Sequence, residues 1–193
     1  MKVEELRMRN KKLGLLTSLS FLLISLSIFV PNAAAYVAYK YNPVAAQVQE
    51  KSLWCWAATA SMAAKYLGAS SATQTNIVTF VKGSAVNDTG TVYDIKNGMA
   101  HYTVYSTALL SSLSFGDIIY NIDRNMNMVA VVTWTSGGGH AYLIRGYYQD
   151  TGAGTSNVYY IDPADGSYNI KSYSTFKNNS ASNWVNSVTA IYA

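Results

Sequence analysis

Gln49-Glu50-Lys51-Ser52-Leu53-Trp54-Cys55-Trp56-Ala57-Ala58 decides the reading of this chain, because it sets the only cysteine among 193 residues at the head of a helix. From Ser52 to Leu67 apolar residues recur at helical spacing: Trp54, Ala57, Ala58, Met62, Tyr66 and Leu67. Ser52 is the expected N-cap and Gly68 the expected stop. Cys55 then falls in the first turn, where unpaired backbone N–H groups and the helix dipole favour an anion. A thiol placed there ionises readily and becomes a nucleophile. The competing reading is a cysteine packed inertly between Trp54 and Trp56.

A thiolate needs a proton partner, and the chain has two histidines. His101 follows a helical stretch and reads as a surface or half-buried side chain. His140 follows Gly137-Gly138-Gly139 and opens the strand His140-Ala141-Tyr142-Leu143-Ile144. A strand end behind glycines holds an imidazole rigidly and lets another segment come close. If residues 140–148 and 156–161 form a hairpin turning near Thr151-Gly152, position 140 stands opposite Asp162. Its carboxylate can then fix the imidazole tautomer. Asp162 also suits the start of the turn Asp162-Pro163-Ala164-Asp165-Gly166, and the two roles are compatible. The Cys55 N–H is one expected oxyanion donor, and the side-chain amide of Gln49 or Gln47 the second.

Around this constellation the texture is helical first and strand-like second. Residues 74–82, 91–100 and 112–124 read as further helices, with the turn Asn87-Asp88-Thr89-Gly90 between the first two. Strands are expected at 128–134, 140–148, 156–161, 167–173 and 187–192. That order predicts an α+β domain of two facing halves. Residues 36–51 read as a short polar lead. Tyr105, Trp134 and Tyr142 are candidate cleft aromatics, although aromatics this frequent usually belong to a core.

The front of the chain reads as an export signal. Basic residues to Lys12 precede an apolar run of 18 residues, Leu13 to Val30, and then Pro31-Asn32-Ala33-Ala34-Ala35. Cleavage is expected after Ala35, leaving a mature domain over 36–193; the alternative is an uncleaved membrane anchor. Residues 1–35 carry five basic and two acidic side chains, so nine basic and eight acidic remain in the rest. That near-neutral balance leaves no basic stripe for nucleic acid or a membrane surface. A single cysteine excludes an internal disulfide and any cysteine-rich metal site. No cofactor or metal is called for, the expected partner is a protein or peptide substrate, and a monomer is expected.

Gln49, six residues before Cys55, with Trp54-Cys55-Trp56-Ala57-Ala58, resembles the active-site helix of papain-like cysteine proteases, in the bacterial branch with a Trp-Cys-Trp-Ala-Ala signature. Gly139-His140-Ala141 with Ile144-Arg145-Gly146-Tyr147 is similar to that family's histidine strand. Ile161-Asp162-Pro163 resembles its acidic segment. The resemblance covers roughly residues 45–165. It implies a papain-like fold with a cleft between a helical half and a β half. It also implies Cys55 as nucleophile, His140 as general acid/base, Asp162 as orienting residue and Gln49 as oxyanion donor. The chain departs from papain in having Asp162 where papain has Asn, in lacking a second cysteine near the nucleophile, and in having almost no room for a propeptide. Asn183-Trp184 offers an Asn-Trp pair but lies far beyond His140. Transglutaminase-like transfer, cell-wall amidase activity, or a non-catalytic binding or immunity role on the same scaffold are the competing functions.

Overall fold

Val129 and Val131 face one side of strand β3 (Met128–Trp134) and Met128, Ala130 and Val132 the other, and both sides are covered, so this apolar run lies at the centre of the molecule. The computed structural model describes residues 34–193, and Ala35–Ala193 form one compact unit. The expected signal segment lies outside the described residues. In chain order the elements are β1 (Val37–Tyr41), α1 (Cys55–Tyr66), α2 (Gln74–Lys82), α3 (Val92–Ala100), β2 (Tyr105–Leu109), α4 (Phe115–Asp123), β3, β4 (Gly139–Asp150), β5 (Thr155–Asp162), β6 (Ser167–Ser172), α5 (Tyr173–Lys177) and β7 (Ser182–Tyr192). The strands form one sheet in the order β2-β7-β3-β4-β5-β6, with β1 also paired to β4 and every pairing antiparallel. The expected α+β papain-like architecture is therefore found.

Helix α1 is buried almost all round, from Trp56 to Ala64. Its alanines let β4, α2 and α3 come close, as a central helix requires. Met62, Ile77, Ile95 and Met99 fill the helical half and pack onto Val129, Leu143, Ile161 and Val188 of the sheet. On the opposite face Ile118 and Ile122 of α4 and Phe176 of α5 pack on Met128, Ile144, Val158 and Trp184.

Local signals explain the helix limits. Thr73 caps α2 by accepting from Asn76 N–H, and Gly83 ends it at φ +81°. Thr91 with Asp94, and Ser114 with Asp117, form capping boxes that start α3 and α4. Ser52 does not cap α1. The N-cap is Trp54, with no side-chain bond, and residues 51–53 are a turn. Cys55 is thus the first helical residue, while Gly68, at φ +93°, follows the helix end as expected.

The lead at 36–51 is more than a connector. Its first part is β1, and the rest is fastened across the sheet. Tyr168 Oη donates to the Val44 carbonyl at 2.9 Å, the Gln49 N–H donates to Pro163 O at 2.7 Å, and Gln74 Nε2 donates to Val48 O at 2.8 Å. Strand β2 and helix α5 are further elements that the sequence pattern does not announce.

Candidate active site

Three chain segments meet at one end of the sheet: the start of α1, the loop before α3, and the β3–β4 hairpin. They enclose a cleft of about 290 Å³ lined by Cys55, His140, Gly90, Val131, Val185 and Asn186 among others. Cys55 is half-buried and sits at the first position of α1. Its own backbone N–H has no acceptor among the described residues, as a first-turn N–H should not.

His140 is carried in by the β3–β4 hairpin. Gly137 and Gly138 turn the chain with φ of +93° and +79°. Gly139 then pairs with Thr133 so closely that a Cβ there would lie 2.6 Å from Val132 O. His140 stands opposite Val132 as β4 begins. Its Nε2 donates to Asp162 Oδ1 at 2.7 Å, which leaves Nδ1 as the ring nitrogen for Cys55.

The two side chains that the sequence pairs are brought together, but by a different register. Leu143 lies opposite Ile161, and a bulge at Arg145 shifts the pairing beyond it. Asp162 is therefore a diagonal neighbour of His140 and not its direct opposite, still within reach of a long side chain. Asp162 Oδ1 also accepts the Ala164 N–H at 2.9 Å, so the turn role and the histidine contact coexist.

The electrostatics follow from these contacts. Burial works to lower the His140 pKa, but the hydrogen bonds to Asp162 and Cys55 and the charges of both outweigh it and push it up to about 9. Burial likewise works to raise Asp162, and the bonds from His140 and the Ala164 N–H overcome it, holding the carboxyl below its usual range. The imidazole is flanked by Trp134, stacked at 6.3 Å and 23°, and by Tyr142, edge-on at 4.8 Å and 81°. Tyr105 lies away from this cleft, beside Tyr192.

Gln49 lies where its backbone joins the cysteine loop to the turn after Asp162, through the Pro163 carbonyl. Its Nε2 donates to Lys51 O at 3.0 Å and to Ser52 O at 2.8 Å, and Oε1 is buried without a partner. In this state the amide braces the loop ahead of Cys55. Gln47 points elsewhere, its Oε1 accepting from Ser61 Oγ. His101 stacks on Phe80 at 4.0 Å, remote from the cleft.

Sequence reading leaves the two tryptophans beside Cys55 without a task, and the structure gives them one. Trp54 Nε1 donates to Val86 O at 2.8 Å and Trp56 Nε1 to Asp88 O at 3.1 Å. An indole N–H needs an acceptor once buried, which is the signal that could have pointed to this loop.

Among curated proteins none matches this sequence. Of solved structures, a double-glycine-motif protease from an AMS/PCAT transporter, in complex with the leader peptide, superposes with a TM-score of 0.49 at 12% identity, covering 81% of this chain and 98% of that one. The family model of the papain-like cysteine protease AvrRpt2 matches residues 38–181, a span that takes in the cysteine helix, the histidine strand and the acidic turn. With that match over most of its length, this cysteine-type peptidase belongs to the AvrRpt2 family of papain-like cysteine proteases.

Proposed function

We propose that the chain is an exported endopeptidase that cuts peptide bonds through Cys55, His140 and Asp162. The observation that carries this reading is the His140 imidazole, bonded to Asp162 through Nε2 and lining the same cleft as Cys55, which helps to hold it protonated. Cys55 gives its proton to His140, and the thiolate attacks the scissile carbonyl carbon. The resulting oxyanion is held by the Cys55 N–H and by Gln49 Nε2, which releases one loop carbonyl to reach it. His140 then hands its proton to the departing amine, leaving a thioester. Water attacks that thioester while His140 takes its proton, and the acid product leaves with the thiol restored. Asp162 keeps the imidazole oriented throughout.

Export rests on the N-terminal signal pattern. Its support is that the compact unit begins at Ala35 and β1 at Val37, so cleavage after Ala35 leaves every described strand of the sheet in place. N-terminal sequencing of protein recovered from the medium should begin at Tyr36; protein retained with an intact front would sink this part.

The catalytic reading is tested by incubating residues 36–193 with a peptidyl epoxysuccinate and reading intact mass. Stoichiometric labelling that is abolished in Cys55→Ala and much slowed in His140→Ala is expected. Labelling no faster than that of a free thiol would sink the reading. Offering an amine acceptor in the same peptide assay separates hydrolysis from transfer.

A further inference from the structure

The wall of the cleft opposite the histidine hairpin is hung from the cysteine segment itself. Lys51 Nζ donates to Ala85 O at 2.7 Å, the Leu53 N–H to Asn87 Oδ1 at 3.0 Å, and Asn87 Nδ2 to Ser52 Oγ at 2.9 Å. The Trp54 indole adds the bond to Val86. All four act upstream of Asp88. For Asp88-Thr89-Gly90, of which Thr89 and Gly90 line the cleft, the bond tying it to the helix is Trp56 Nε1 to Asp88 O. Trp56 is itself fixed, being 1% exposed.

Gly90 lies flat on the Trp56 indole. A Cβ at Gly90 would meet Trp56 Cδ2 at 2.3 Å and Cγ at 2.5 Å, so the backbone rests directly on the ring. Neither the N–H nor the carbonyl of Gly90 is bonded among the described residues. An unpaired main-chain donor and acceptor at the rim of a cleft are what an extended peptide can pair with.

Resting on the proposed peptidase site, we infer that Trp56 is a positioning residue for substrate, its indole holding Thr89-Gly90 as a rigid edge for the peptide main chain. Trp56 does not touch the reacting atoms. It joins the residue after the nucleophile to the substrate wall, so the cleft width is set by one buried side chain.

The test compares two reagents on residues 36–193. Iodoacetamide needs only the thiolate, whereas a peptidyl epoxysuccinate must also lie along the wall. In Trp56→Phe, which keeps a ring but loses the Nε1–H, the epoxysuccinate should label about tenfold more slowly while iodoacetamide labelling and its pH dependence stay unchanged. Gly90→Ala should shift the same ratio in the same direction, and it decides the matter if Trp56→Phe does not fold. Equal rates for both reagents in variant and wild type, or a matching loss for both, would overturn the inference while leaving the peptidase reading intact. Wild type that labels no faster than a free thiol would overturn both.

Discussion

His140 Nε2 and Asp162 Oδ1 stand 2.7 Å apart across two strands that are not in direct register at this point. The carboxylate is one of the two groups that keep the imidazole charged. Replacing Asp162 by Asn removes that charge but keeps an acceptor. The imidazole should then lose its proton below the value of about 9 that the pair now sets. The alkaline limb of kcat/KM is expected to move to lower pH, with the maximum lowered about a hundredfold. A pH–rate profile with an unmoved alkaline limb would show that Asp162 does not act on His140.

The same pair makes a statement about stability. Folded His140 binds its proton up to about pH 9, while an unfolded histidine releases it near 6.5. Its contribution is therefore complete below pH 6.5 and is lost as pH rises through 9. Asp162 is held below its unfolded value of 3.8, so its contribution is present above that pH and lost as pH falls further. Thermal melts should show Tm falling between pH 6.5 and 9.5 in wild type, and a flatter dependence in His140→Ala. Parallel curves for the two proteins would refute this linkage.

Gln49 separates an oxyanion role from a bracing role. As a donor in the transition state, its loss in Gln49→Ala should lower kcat about a hundredfold with little change in KM. Alkylation of Cys55 by iodoacetamide, which builds no oxyanion, should be nearly unaffected. If the amide serves only to hold the carbonyls of Lys51 and Ser52, Tm and the alkylation rate would both drop and the kcat effect would follow from them.

Much of this site could be read before any coordinates. Helix α2 matched its expected range because Thr73 and Gly83 are strong local punctuation, and β3 because its five-residue apolar core has no polar break. β1 escaped notice because Val37-Ala38-Tyr39-Lys40-Tyr41 exposes alternate side chains and gains its order only by pairing with Gly146–Asp150 of β4. The Asp162 register failed because the turn spans residues 151–154 with Asp150 opposite Thr155, an offset larger than a turn near Thr151-Gly152 implies, and the bulge at Arg145 takes back only part of it, which no alternation pattern declares. Ser52 looked like a cap by residue type, yet its hydroxyl is engaged by Asn87, 35 positions away. Long-range partners of this kind leave no local trace.

Two glycines of β4 separate catalysis from folding. A methyl at Gly139 would meet Val132 O at 2.6 Å, one residue from His140. A methyl at Gly146 would meet Lys40 O and Tyr41 Cβ, both at 2.6 Å, at the β1 edge. Each substitution to Ala should cost about 2 kcal/mol of stability. Gly139→Ala should also slow alkylation of Cys55 sharply, whereas Gly146→Ala should leave it unchanged at temperatures where the protein is folded. Equal effects on alkylation would mean that His140 is not held by the local strand geometry.

Tyr142 supplies the last test, because its ring and its hydroxyl make opposite predictions. The ring is edge-on to His140 at 4.8 Å and is backed by Tyr160 at 5.1 Å and Phe176 at 5.8 Å, a cluster that limits imidazole rotation. The hydroxyl makes no hydrogen bond among the described residues, and burial followed by the nearby Asp162 charge pushes its pKa up, so it stays neutral at any working pH. Tyr142→Phe should therefore keep near wild-type kcat and pH profile. Tyr142→Ala should lower kcat about tenfold, since a freely rotating imidazole spends less time aligned between Cys55 and Asp162. A large loss in the Phe variant would overturn this division and assign the hydroxyl a direct part in the chemistry.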